Sequence, residues 1–157
     1  MSAVEDRLAE LGLTIPDVAM PVAAYLPAVR DGNHIFTSGQ LPMVSGALAA
    51  TGKVGEGPGL VPAEDAKKLA QICALNAIAA VKALIGDLDK VTRVVKVVGF
   101  VASDPAFTGQ PGVINGASEL LGKAFGDAGV HARSAVGVAV LPLDAPVEVE
   151  IIVSVRD

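Results

Sequence analysis

Hydrophobic residues recur along the chain with helical or alternating spacing, and each spacing predicts a different element. In residues 2–11 the spacing is helical and predicts a short amphipathic helix. Residues 25–30 and 34–38 each predict a strand, and the turn sequence Asp31-Gly32-Asn33 between them predicts a β-hairpin. Residues 43–60 are rich in Gly and Ala, and they predict a loop that contains one short strand at most.

Two longer helices are predicted in the rest of the chain. The first begins at Pro62 and ends at Gly86, with two acidic residues in its first turn, where they favour the helix dipole. The second has its apolar residues over 113–124 and ends at Gly126. Polar residues interrupt the most apolar part of the first helix, 72–85, and we expect that part to be too short to span a membrane.

Three further strands are predicted over residues 91–103, 133–141 and 146–155. The order of elements is then a hairpin, a helix, a strand, a helix and two strands. This order predicts an α+β domain with both helices on one face of a mixed sheet. No linker divides the chain, so residues 1–157 are expected to form a single domain.

The other face of this sheet is predicted to lack helices. Alternation along the last strand places Glu148, Glu150 and Ile152 on that face. An isoleucine beside two glutamates on an uncovered face indicates that a partner packs there.

Composition narrows the classes of partner. Of the 157 residues, 52% are hydrophobic, 18% are charged and 3% are aromatic, which excludes a disordered chain. The net charge is −5 and there is no basic run, which argues against nucleic-acid binding. The two histidines and the one cysteine lie far apart along the chain and give no recognisable zinc site.

The single cysteine, Cys73, excludes an internal disulfide bond and fits a reducing compartment. Because it lies within an apolar helical stripe, we expect a buried thiol rather than a nucleophile. The first residues have no basic region followed by an apolar one, as a signal peptide would. We therefore expect a cytoplasmic protein.

Arg133 is the strongest candidate for chemistry. It begins a predicted strand and shares one face of it with Ala135 and Gly137, whose small side chains leave room beside the guanidinium. A guanidinium binds a carboxylate through two parallel hydrogen bonds. The alternative is an arginine in an ordinary surface ion pair.

Other polar residues are weaker candidates. Glu148 or Glu150, partly desolvated beside Ile152, would hold a water molecule or move a proton, and the pattern does not choose between them; the alternative is a solvated edge residue. Tyr25 is either a hydrogen-bond donor or a packing residue. Residues expected to be solvated or to lie in a loop are Asn115 and His131.

Together these residues resemble the RidA/YjgF family, whose members were earlier described as L-PSP-type endoribonucleases. The resemblance runs from about residue 21 to the C-terminus, so residues 1–20 form an N-terminal helical extension. It rests on the segments FTSGQLP over 36–42, ARSAVGVAVLP over 132–142 and PVEVEIIVSV over 146–155. It also rests on single residues in the first predicted strand and the second long helix, Tyr25 and Asn115.

The resemblance implies a chorismate-mutase-like α+β fold and a homotrimer with clefts between subunits. It implies hydrolysis of enamines and imines of the 2-aminoacrylate type to 2-keto acids and ammonia, without a metal or an organic cofactor. Small imines and keto acids would then be the partners, and neither nucleic acid nor membrane. Two other functions remain open: an endoribonuclease, and a trimeric carrier of small carboxylates without catalysis.

The resemblance also implies roles for residues. Arg133 matches the family's substrate-binding arginine, and Glu148, not Glu150, matches its water-positioning glutamate. Other substrate-binding positions match Tyr25, Gly39, Asn115 and Ala135. The chain differs from short members in having His131 in place of proline, Ala135 in place of cysteine and a longer 43–60 loop. These differences leave the physiological substrate open.

Overall fold

The three helices form where the apolar spacing predicts them. In the computed structural model, which describes residues 1–18 and 20–157, they are α1 (Ala3–Glu10), α2 (Ala63–Ile85) and α3 (Gln110–Phe125). Pro62 lies just before α2 as its N-cap, without a side-chain cap, and Gly86 ends the helix with a positive φ of 80°. Both helix ends therefore lie within one residue of the predicted positions.

Helix α1 is fixed to the rest of the protein at both of its ends. A capping box closes its N-terminus, where the Ser2 hydroxyl accepts from the Glu5 amide and the Glu5 carboxylate accepts from the Ser2 amide. The same carboxylate forms an ion pair with Lys82 of α2. Near the other end, Arg7 donates a hydrogen bond of 3.1 Å to the carbonyl of Ala124 in α3. The predicted extension is thus part of the packed structure.

In the part of the chain that the structure describes, seven strands lie between and after the helices: β1 (Ala28–Asp31), β2 (His34–Thr37), β3 (Met43–Val44), β4 (Ala47–Leu48), β5 (Val91–Ala102), β6 (Ala132–Val138) and β7 (Val147–Val155). Five of them form one sheet in the order β1-β2-β7-β5-β6, while β3 and β4 form a small separate hairpin. Only β5 and β6 are parallel within the large sheet, so the sheet is mixed, as predicted.

Both long helices pack on one face of this sheet, which confirms the predicted α+β fold. Every second residue of β7, beginning at Val147, is buried against them. Helices α2 and α3 approach each other closely at Gly116, where any Cβ would collide with the carbonyl of Lys67. A glycine is required there because the backbones of the two helices are in contact.

The second sheet face has no helix over it among the described residues, as the sequence predicts. Glu148, Glu150 and Ile152 lie on it and are half-buried. Beside them, Phe36 is 40% exposed and Val136 is 44% exposed. This open face therefore combines apolar side chains with two carboxylates.

Some element limits differ from the prediction. The first strand begins at Ala28, three residues later than expected, and β6 ends at Val138, where its pairing with β5 ends at Ala102. The 43–60 segment contains two short strands where one at most was expected.

Helix α2 has 23 residues and is long and apolar enough to cross a membrane, although half of its apolar window is buried as in a core helix.

Candidate functional site

Arg133 lies on the helix-covered side of the edge strand β6, next to the first turns of α3. Its Nη1 donates a hydrogen bond of 2.8 Å to the side-chain oxygen of Asn115, and its Nη2 donates one of 3.3 Å to the carbonyl of Pro111. Its Nε has no acceptor within hydrogen-bond distance among the residues that the structure describes. The guanidinium is thus held from one side and keeps a donor for an anion.

Two further side chains extend this arrangement. Arg133 Nη1 also donates to the Ser118 hydroxyl at 3.3 Å. Ser118 Oγ lies 2.8 Å from Nε2 of His131, and Nδ1 of His131 lies 2.6 Å from the carbonyl oxygen of Gly129. We call Asn115, Ser118, His131 and Arg133 the arginine cluster.

The sequence prediction missed two members of this cluster. His131 lies just before β6, as expected of a loop residue, yet its ring contacts α3 through Ser118. The available signal was spacing: His131 and Arg133 are two residues apart in extended chain, and Asn115 and Ser118 are three apart on a helix. Each pair therefore points to one side of its own element, although only the fold brings the two pairs together.

Glu148 lies on the open face of β7, where a loop covers it. The amide of Gln40 donates to the carbonyl of Val149 at 2.8 Å, and the amide of Val149 donates back at 3.0 Å. This pairing places Gly39 against the Glu148 carboxylate, so closely that a Cβ on Gly39 would collide with it. Burial, together with the nearby charge of Glu150, raises the pKa of Glu148.

The same loop distinguishes Glu148 from Glu150. The two glutamates share a face of β7, but they oppose different residues of β5, Phe100 and Val98 respectively. The three atoms nearest to a Cβ built on Gly39 all belong to Glu148. The sequence pattern could not separate the two carboxylates because the contact comes from a segment about 110 residues away in the chain.

Tyr25 lies before β1 and is 57% exposed. Its segment is tied to the loop of Gly39, because the Ser38 hydroxyl donates to the carbonyl of Leu26 at 2.6 Å and the Ser38 amide donates to that of Pro27 at 2.8 Å. Tyr25, Gly39 and Glu148 thus belong to one region, which we call the glutamate cluster.

The arginine and glutamate clusters lie on opposite faces of the sheet within one protomer. Arg133 pairs with Val97, which is fully buried on the helix side, whereas Glu148 pairs with Phe100 on the open face. Strand β5 lies between β6 and β7. One small molecule therefore cannot contact both side chains of the same protomer.

A groove of about 450 Å³ lies beside the glutamate cluster. Gln40 lines it, together with Met43 and Ser45 from the 43–60 segment and Asp17 from the N-terminal segment. These two segments thus meet at Gln40, next to Gly39.

The remaining candidate groups do not form a metal site. Among the described residues, no three His, Cys, Asp or Glu side chains are grouped as metal ligands would be. The thiol of Cys73 is buried, as expected, and its burial raises its pKa. A protonated thiol in the core is a poor nucleophile.

Comparison with known proteins places this geometry in a family. The family model described as "YjgF/chorismate_mutase-like, putative endoribonuclease" matches residues 5–154. The chain belongs to this family. This confirms the RidA/YjgF resemblance and the chorismate-mutase-like fold.

Three known proteins are similar to this one over most of the chain. Protein TCP17 of Trypanosoma cruzi is 41% identical over 98% of this chain and 95% of its own. The crystal structure of Atu1372 from Agrobacterium tumefaciens has 48% identity and a TM-score of 0.90, over 98% of this chain and 93% of that one. That of Escherichia coli TdcF, with bound serine, has 25% identity and a TM-score of 0.61, over 89% and 94%.

Proposed function

We propose that this protein hydrolyses enamines and imines of the 2-aminoacrylate type to 2-keto acids and ammonia. The observation that carries the proposal is the fixed guanidinium of Arg133, which is bonded to α3 through Nη1 and Nη2 while its Nε is unbonded among the described residues. Such an arrangement suits a substrate carboxylate, because a guanidinium binds a carboxylate in its own plane.

Asn115 contributes to this role by fixing the plane of the guanidinium. Its side-chain oxygen accepts from Nη1, so the arginine is oriented before a substrate arrives. Ala135 follows on the same strand face, two residues further along β6, and its methyl group leaves space beside the bound carboxylate. The imine carbon next to the carboxylate would then be held in one position.

Glu148 would supply the proton transfers. Its raised pKa means that it takes up a proton more readily than an ordinary glutamate, as a general base for water requires. The oxygen of water forms a bond to the imine carbon, and Glu148 accepts the water's proton. This proton passes to nitrogen and gives an aminoalcohol. Glu148 then takes the hydroxyl proton and returns it to the amine, so that the carbon–oxygen double bond forms, the carbon–nitrogen single bond breaks, and ammonia and a 2-keto acid are released. An enamine first takes a proton on carbon to become the imine.

A complete site then needs two protomers, and we infer a homotrimer in which they meet. Since Arg133 and Glu148 lie on opposite faces of one sheet, the arginine cluster of one protomer would face the glutamate cluster of the next. The half-exposed Phe36 and Val136 on the open face support this packing. Tyr25 and Gly39 would then border the cleft from the glutamate side.

The similarity to TdcF supports a small amphoteric substrate. That protein is described with bound serine, which carries the carboxylate and the nitrogen of an amino acid. The substrate proposed here carries the same two groups, both attached to its α-carbon. No metal or organic cofactor is required, because an imine conjugated to a carboxylate is already electrophilic.

The direct test generates imines from several amino acids with an amino-acid oxidase and follows their hydrolysis with this protein. Arg133→Ala is expected to lower kcat/KM at least ~100-fold, since it removes a charged pair of hydrogen bonds. Arg133→Lys is expected to lower kcat/KM by a similar factor, because an ammonium cannot form the planar pair of bonds. Glu148→Gln is expected to lower kcat while binding of pyruvate, measured by calorimetry, is retained.

Glu150→Gln is the matched control, because Glu150 shares the strand face, whereas the atoms nearest to a Cβ on Gly39 belong to Glu148. Full turnover in Glu148→Gln together with loss in Glu150→Gln would show that the wrong glutamate was chosen. Pyruvate binding without any imine hydrolysis would indicate a carboxylate carrier. RNA cleavage by the pure protein that Arg133→Ala abolishes would replace the proposal by the endoribonuclease that the family description names.

A further inference from the structure

We propose that His131 and Ser118 are positioning residues that hold Arg133 for carboxylate binding through a directed chain of hydrogen bonds. The inference rests on the proposed role of Arg133. It concerns two side chains that neither the family motifs nor the sequence pattern assigns to the site.

The donor and the acceptor of each hydrogen bond can be assigned by starting from the Gly129 carbonyl. The carbonyl of Gly129 only accepts, so Nδ1 of His131, 2.6 Å away, carries a hydrogen. In a neutral imidazole Nε2 is then an acceptor, and the Ser118 hydroxyl donates to it at 2.8 Å. The lone pairs of Ser118 Oγ are left to accept from Nη1 of Arg133. The geometry thus assigns one direction, from arginine to carbonyl.

The acceptor at the end of this hydrogen-bond chain, the carbonyl of Gly129, is held rigidly. Gly129 is buried, and a Cβ on it would collide with the carbonyl of Leu121, so the backbone is pressed against the last turns of α3. Its carbonyl therefore cannot move far to follow the ring of His131. A fixed acceptor selects one tautomer and one ring orientation of that histidine.

The histidine in turn selects one rotamer of Ser118. A serine within a helix otherwise turns its hydroxyl back to the carbonyl four residues earlier. Its bond to His131 keeps Oγ at the edge of α3, where Nη1 of Arg133 reaches it. Asn115 holds the same nitrogen from one turn earlier, so two points fix the guanidinium plane.

A purely structural role would predict a different pattern of burial. His131 and Ser118 are only half-buried and lie outside the apolar core. Apart from the bond of His131 to the Gly129 carbonyl, the side-chain hydrogen bonds that these two residues form within the described part of the chain join them to each other and to Arg133. Loss of either side chain should therefore affect ligand binding more than folding.

The first experiment is independent of activity: ¹⁵N NMR of the imidazole ring of His131, assigned by its loss in His131→Gln. The expected result is a neutral ring with hydrogen on Nδ1 and none on Nε2. Hydrogen on Nε2 would reverse the Ser118 bond and overturn the proposal.

The second experiment measures imine hydrolysis and pyruvate binding in Ser118→Ala, His131→Phe and His131→Gln. The first two are expected to raise KM and the pyruvate Kd about tenfold with kcat nearly unchanged, since each loosens one charged hydrogen bond. His131→Gln is expected to retain most of the affinity, because its amide oxygen can replace Nε2 as an acceptor. Glu119→Gln is the control, since Glu119 is exposed beside Ser118 and pairs with Lys67.

The outcomes separate this inference from the proposed function. Unchanged pyruvate binding in Arg133→Ala would show that Arg133 is not the carboxylate anchor, and the proposed function would fail with it. Weakened binding in Arg133→Ala, with wild-type binding in both Ser118→Ala and His131→Phe, would overturn the positioning role alone. If His131→Phe fails to fold, Ser118→Ala decides, because a serine-to-alanine change on a half-buried helix position preserves the helix.

Discussion

At the scale of single residues, the candidate site depends on a glycine beside a carboxylate. Gly39 lets the loop after β2 press against the Glu148 carboxylate. Burial, and then the charge of Glu150, raise the pKa of this carboxylate. A substitution at Gly39 should act on Glu148 without touching a titratable group.

We predict that Gly39→Ala lowers imine turnover at least ~10-fold, because the added Cβ would displace the carboxylate from its position. The measurement is kcat beside pyruvate binding, which should change less because Arg133 is untouched. Gly112→Ala serves as the control: Gly112 is exposed in α3, and a Cβ there has no neighbour within 4 Å. Wild-type turnover in Gly39→Ala would show that this contact does not position Glu148.

At the scale of elements, the periodicity of the sequence predicted the helices and strands because each depends on its own residues. The burial of alternate residues in β7 and the capped helix α1 follow from local patterns. The choice of Glu148 and the contact of His131 with α3 do not. Each depends on a segment that only the fold brings near, such as the loop at Gly39. The hairpin of β3 and β4 is local, with Ser45 and Gly46 at positive φ in its turn, and was missed for a different reason: its strands have only two residues each.

Helix α1 shows how one element is held by charge. The Lys82 ammonium, and then the amide and hydroxyl of Ser2, lower the pKa of Glu5 from 4.5 to about 2. A lowered pKa in the folded state means that the ionised carboxylate favours folding. This contribution is fully present above pH 4.5, and it is lost as the pH falls through about 2.

We predict that Glu5→Gln lowers the Tm at pH 7 and that the difference from wild type shrinks as the pH falls from 4.5 to 2. Thermal unfolding followed by circular dichroism at several pH values measures this. Glu10→Gln is the matched control, because Glu10 is exposed at the end of the same helix. An equal Tm difference at pH 7 and pH 2 would mean that the ion pair with Lys82 does not hold α1.

At the scale of the whole molecule, one protomer carries two halves of a site that face away from each other. The arginine cluster lies on the helix side of β6, and the glutamate cluster lies on the open face of β7. The open face also leaves Phe36 and Val136 half-exposed, which is the kind of surface that a second copy of the chain covers. The proposed trimer joins the halves and covers this face in a single arrangement.

The proposed trimer makes a prediction that a site within one protomer does not. Arg133→Ala and Glu148→Gln are each expected to be inactive alone. When the two variants are unfolded together in equal amounts and refolded, each cleft draws its arginine from one protomer and its glutamate from the next. About one quarter of the clefts then regain both wild-type residues, so about one quarter of wild-type turnover should return.

Refolding each variant separately and mixing afterwards is the control, and sedimentation equilibrium on the wild type checks the assembly. No recovery after co-refolding, with a trimer present in solution, would mean that Arg133 and Glu148 of the same protomer act together. The strand between them would then have to move, since β5 separates the two side chains. A monomer at micromolar concentration would contradict the shared cleft directly, because a single chain presents the two clusters on opposite faces.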